Sequence, residues 1–108
     1  GHWEHVSQVV DLGGRNGNPP ALVSTDDDLL VCAYGIRDDR APRIELAVSR
    51  DMGKTWGLAE FWNGPTTDLG YPQIFRRGDN KVSVVWYQDC GTQEQRAELV
   101  IADVDLRI

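Results

Sequence analysis

Two guanidinium groups (Arg37 and Arg43), one carboxylate (Asp68), one amide (Asn18) and one phenol (Tyr71) lie in or beside polar segments that separate apolar runs. An arginine fork matches a carboxylate through two parallel hydrogen bonds. Carboxylate and amide groups match sugar hydroxyls, because they offer donors and acceptors at fixed angles. Arg15, Asp38, Asp39, Arg40, Asp89, Glu94 and Arg96 lie in the same polar segments: 11 to 19, 36 to 42, 64 to 71 and 88 to 96. The set suits a carbohydrate or a small acidic ligand. It can act only if a scaffold brings four separated segments to one end.

The chain supplies short strand-like runs for that scaffold. They fall near residues 4 to 10, 20 to 24, 29 to 35, 43 to 49, 56 to 62, 72 to 76, 81 to 87 and 97 to 103. Turn-forming residues stand between them: Asp26-Asp27-Asp28, Asn63-Gly64-Pro65, Gly78-Asp79-Asn80 and Cys90-Gly91. Leu29 to Tyr34 and Val82 to Tyr87 are apolar without alternation, as expected of strands buried on both faces. No segment competes as a helix, so the expected class is all-β.

The sequence repeats. A shift of 53 places Trp3 on Trp56, Gly17 on Gly70 and Pro19 on Pro72, and later Arg43-Ile44-Glu45-Leu46 on Arg96-Ala97-Glu98-Leu99. Between these stretches a one-residue slip sets Leu30-Val31-Cys32-Ala33-Tyr34 on Val82-Ser83-Val84-Val85-Trp86. Residues 3 to 55 and 56 to 108 are therefore two units of one domain. Gly1-His2 lies outside the repeat and reads as a cloning remnant.

Ser49-Arg50-Asp51-Met52-Gly53-Lys54-Thr55-Trp56 fits Ser-x-Asp-x-Gly-x-Thr-Trp at every fixed position. Asp51 is expected to cap backbone N–H groups two residues on, Gly53 to take positive φ, Ser49 to bond across the loop, and Trp56 to cover the turn. This segment resembles the Asp-box, or bacterial neuraminidase repeat, of sialidase-like β-propellers. Ala33 to Arg37, Asp68-Leu69-Gly70-Tyr71-Pro72 and Val85-Trp86-Tyr87 extend the resemblance over nearly the whole chain. It implies four-stranded antiparallel propeller blades, with the Asp-box joining the third strand to the fourth at the end away from the ligand.

That phase makes residues 20 to 62 one complete blade and gives the second blade three strands. Residues 3 to 10, starting at Trp3 where the repeat has Trp56, then read as an outer strand lacking its preceding three. The expectation is that copies exchange this strand head to tail. Three chains would close a six-bladed homotrimeric propeller, and four chains an eight-bladed one.

The resemblance also implies roles. In sialidases a Tyr at the start of a late inner strand is the nucleophile, assisted by a Glu, with an Asp as acid/base and three Arg holding the substrate carboxylate. Tyr71 occupies the nucleophile's place, and Arg37 and Arg43 are the guanidinium candidates. No position matches the assisting Glu or the acid/base Asp, and Pro72 replaces the family's Ser. Asn18 is the repeat counterpart of Tyr71. The expected function is a binding module without complete catalytic machinery. The alternatives are a fragment of an exo-sialidase-like glycoside hydrolase and an oligomeric scaffold with no small ligand.

Composition narrows the partners. Asp and Glu total 17 against 11 Lys and Arg, a net charge of -6 that opposes binding to a polyphosphate backbone. No apolar run is long enough to span a membrane. Cys32 falls mid-strand and is expected as a small buried apolar residue, with Cys90 in a loop. The Asp26-Asp27-Asp28 turn reads as solvated, and no metal or cofactor is expected.

Overall fold

The turn signals of the sequence divide the chain into extended segments too short and too rich in β-branched residues for helices. The computed structural model describes residues 3–11, 19–25, 27–90 and 97–106. Its regular elements among them are strands: β1 (Ala21–Ser24), β2 (Leu30–Ile36), β3 (Arg43–Ser49), β4 (Gly57–Asn63), β5 (Leu69–Arg76), β6 (Lys81–Asp89) and β7 (Ala97–Asp105). They form two antiparallel sheets, one in the order β1-β2-β3-β4 and one in the order β5-β6-β7.

The two sheets stack face to face, because each presents a row of apolar residues at a spacing of two. Val31, Ala33, Ile44, Leu46 and Val48 of the first sheet share a core with Leu69, Val82, Val84 and Trp86 of the second. Trp62 and Trp86 meet across it with ring centroids 5.1 Å apart. Each fully buried aliphatic side chain contributes roughly 1.5–3 kcal/mol, enough for this seam to hold the sheets together.

The repeat is visible in the turns as well as the strands. In the β1–β2 turn Thr25 N donates to Leu29 O at 2.9 Å, and Asp28 takes φ 62°. In the β5–β6 turn Arg77 N donates to Lys81 O at 2.8 Å, and Asn80 takes φ 59°. Asn80 Nδ2 donates to Asp27, so the two equivalent turns touch.

Two strand expectations need correction. Residues 4 to 10 form no strand; Trp3 is 96% exposed, and Val9 and Val10 pack on the outer face of the first sheet against Cys32, Tyr34, Ile36 and Ala47. An edge strand forms only where a ladder partner is available, and here the valines bury themselves on a face instead. The second correction concerns β5, which starts at Leu69 rather than at Pro72. A register shift between Gly70 and Gln73 lets the ladder continue past the proline to Leu69 opposite Gln88.

The 49–56 turn is tied together by side chains. Ser49 Oγ donates to Asp51 Oδ1 at 2.8 Å and accepts from Gly53 N at 2.8 Å. Asp51 Oδ1 accepts from Thr55 N at 2.8 Å, and Oδ2 accepts from Thr55 Oγ1 at 2.5 Å. The cap thus reaches four residues on, not two, because Met52 at φ 61° and Gly53 at φ 90° fold the loop back on itself. Trp56 Nε1 donates to Ser7 Oγ at 3.0 Å, and Ser7 Oγ donates to Gly53 O.

Candidate functional site

At the end of the sheets opposite the β1–β2 and β5–β6 turns, the start of β5 is distorted. Gly70 has φ 148° and Tyr71 φ 49°, a left-handed conformation that costs an aromatic residue about 1–2 kcal/mol. Pro72 explains the distortion. Having no N–H for the ladder, it lies in the shifted stretch between Gly70 and Gln73, where it is fully buried. Tyr71 is left 57% exposed.

The opposite strand supplies a second phenol. Tyr87 pairs with Gly70, which has no side chain to fill the space beside it. The Tyr71 and Tyr87 rings lie 5.7 Å apart at 30°. Tyr87 Oη donates to Asp68 Oδ1 at 2.7 Å and accepts from Arg37 Nη2 at 3.3 Å. Arg37 follows β2 directly, and its Nε donates to Leu69 O at 3.2 Å. One guanidinium therefore connects the first sheet to the distorted start of the second.

These partners set the electrostatics. The hydrogen bond to Asp68, then burial, push the Tyr87 phenol above its usual range, so it stays neutral and donating. Asp68 is anchored from behind: its N–H donates to Thr66 Oγ1 at 3.2 Å and its carbonyl accepts from Asp89 N at 2.9 Å. Arg37 Nη1 makes no hydrogen bond among the described residues. The cluster offers a guanidinium donor, a carboxylate acceptor and two phenol rings on one exposed surface.

Arg37, Asp68 and Tyr71, three residues singled out by type, are thus brought together. Arg43 is not among them. Its Nε donates to Glu45 Oε2 and its Nη1 to Ala41 O, both at 2.7 Å, while Tyr34 Oη donates to Glu45 Oε1 at 2.9 Å. Its charge is already neutralised. Burial, then the Glu45 hydrogen bond, push the Tyr34 phenol far above its ordinary range. Asn18 lies outside the described residues. Ser49, Asp51, Gly53, Thr55 and Trp56 all belong to the 49–56 turn and have a structural part.

Tyr87 is the member that composition and spacing did not single out. Its signal lies in the repeat, where it falls on Gly35: a large polar aromatic in one unit replaces a residue with no side chain in the other. A separate cleft of about 140 Å³ lies at the other end of the second sheet, lined by Arg77, Lys81, Val82, Asp103, Val104 and Asp105. There Arg77 pairs with Asp103 at 2.8 Å, which leaves less of its charge for a ligand.

No protein-family model, no curated protein and no solved structure matches this chain.

Proposed function

We propose that this chain is a sialidase-like propeller module that binds a carbohydrate or small acidic ligand at Arg37, Asp68, Tyr71 and Tyr87, without complete catalytic machinery. The observation that carries the reading is the strained, exposed Tyr71 ring beside Tyr87, whose hydroxyl joins Arg37 to Asp68. Backbone strain held at an exposed aromatic is a mark of binding sites. Two phenol rings suit the apolar face of a sugar, Asp68 its hydroxyls, and Arg37 Nη1 a carboxylate. A nucleophilic phenol needs a base within hydrogen-bond reach. Tyr71 Oη has none among the described residues, and the Asp68 carboxylate accepts a hydrogen bond from Tyr87 instead.

The same reading has copies joining head to tail into a ring, with three chains supplying six blades. Its support is the unequal strand count: one sheet has four strands and the other has three, with β7 at an edge.

The ligand reading is tested by titrating N-acetylneuraminate and, separately, N-acetylglucosamine into labelled protein and following amide shifts by NMR. Shifts centred on Arg37, Asp68, Tyr71 and Tyr87, weakened in Tyr71→Ala, are expected, with no turnover of a fluorogenic sialoside. Shifts confined to other surfaces with both sugars would remove the site assignment, and turnover abolished by Tyr71→Phe would replace binding with hydrolysis.

A further inference from the structure

The outer face of the β5-β6-β7 sheet carries an uncovered apolar patch. Phe75, Leu99 and Ile101 are 56%, 76% and 68% exposed, with Val85 between them, opposite Ile101 in the ladder. Each stands at the repeat position of a residue that the first sheet packs against the second. Phe75 corresponds to Val23, Val85 to Ala33, Leu99 to Leu46 and Ile101 to Val48.

The surface that receives this packing repeats too. Ile74, Val84, Trp86 and Val100 of the second sheet lie against the first. Their counterparts are Leu22, Cys32, Tyr34 and Ala47, on the outer face of the first sheet. One chain therefore shows an uncovered docking face on one side and its matching receiver on the other, with the joint between such faces already formed once inside the molecule. Among β2 and β3 residues on the receiver, the charged pair Arg43 and Glu45 is internally neutralised at 2.7 Å, so docking leaves neither of these two charges without its partner.

In the lone chain the receiver is occupied. Val9 and Val10 lie on Cys32, Tyr34, Ile36 and Ala47, and Ser7 is fastened to Trp56 Nε1 and Gly53 O. Leu22 and Phe61, on the same face, remain 65% and 47% exposed. We infer that the outer face of the second sheet docks on the outer face of the first sheet of a second copy, and that residues 7 to 10 are a strap that must leave that face first. Cys32, Tyr34 and Ala47 belong to both sets and cannot be covered by the strap and by a docked sheet at once. This inference rests on the ring reading above and adds to it the contacting faces and a barrier to their meeting.

Sedimentation of the full chain over a range of concentrations tests it, with Leu99→Glu/Ile101→Glu and Ser7→Ala alongside the parent. Leu99 and Ile101 are exposed in the lone chain, so the double variant keeps its fold, which circular dichroism verifies. The parent is expected to self-associate and the double variant to remain a folded monomer. Ser7→Ala loosens the strap without touching the docking face, and association is expected to tighten about fivefold for the loss of roughly one net hydrogen bond. A double variant that associates like the parent overturns the docking face while leaving head-to-tail assembly standing. Unchanged or weaker association of Ser7→Ala overturns the strap. If parent and Ser7→Ala both stay monomeric up to about 1 mM, where only interactions weaker than ~4 kcal/mol would be missed, ring and interface fall together.

Discussion

Tyr87 donates its hydroxyl to Asp68 Oδ1 across 2.7 Å, joining the middle strand of the second sheet to the loop that leads into β5. The bond is made at the surface, so its contribution to stability is small while its effect on the site is direct. Tyr87→Phe is expected to lower stability by no more than about 1 kcal/mol, since water can satisfy Asp68. It frees Arg37 Nη2 and leaves Asp68 without its donor, so amide shifts on ligand titration should shrink or move. Chemical denaturation and the NMR titration separate the two effects.

Tyr34 gives an alkaline signature. Its raised ionisation means that the neutral phenol stabilises the fold fully below the ordinary tyrosine pKa of about 10, and that this contribution is lost as pH rises through the folded value. Stability of the parent should fall above about pH 10, and that of Tyr34→Phe should fall less steeply. Thermal unfolding at stepped pH checks the difference in slope.

Asp51 gives the acidic counterpart. Hydrogen bonds from the Thr55 hydroxyl and N–H, then from Ser49, hold its carboxyl down at about 2. A depressed folded pKa stabilises above the unfolded value of about 3.9 and loses its effect as pH falls toward the folded one. Asp51→Asn should unfold at a lower temperature than the parent at pH 7, and the gap should close between about pH 4 and pH 2.

Leu46 and Leu99 occupy the same repeat position and should answer differently to the same change. Leu46 is fully buried, so Leu46→Ala should cost about 2–5 kcal/mol. Leu99 is 76% exposed, and Leu99→Ala in dilute protein should stay within about 0.5 kcal/mol. Urea denaturation at low concentration measures both.

Gly53→Ala probes the turn. The added Cβ would meet Leu30 Cδ1 at 3.4 Å, an ordinary contact, so the penalty comes from φ 90° rather than from crowding. A loss of about 1–2 kcal/mol is expected, measurable by the same denaturation.

Strand positions were legible because glycine, proline and aspartate mark the turns, and apolar runs with no helical period can only be extended. The division into four strands and three is what the resemblance carried by the 49–56 turn implies, and the sheets have those strand numbers. What stayed hidden depends on contacts between distant segments. Val9 and Val10 read as strand residues, yet with no ladder partner they settle on a sheet face. The path of β5 past Pro72 depends on a register shift that no local pattern announces. Arg43 looked available by type, but Glu45 two residues on shares its face of β3 and claims it, a period-two relation readable in hindsight. Tyr87 looked like an ordinary strand aromatic until its neighbour proved to be Gly70.

Arg37 belongs to the segment after β2, yet its bonds to Leu69 O and Tyr87 Oη both end on the other sheet, so it acts as a rivet through the seam. A ligand that recruits this guanidinium through Nε or Nη2 must take it from that duty. Affinity then carries a mechanical charge, because the grip on the ligand is traded against the stiffness of the joint, and a tightly bound acid would leave the two sheets freer to rock.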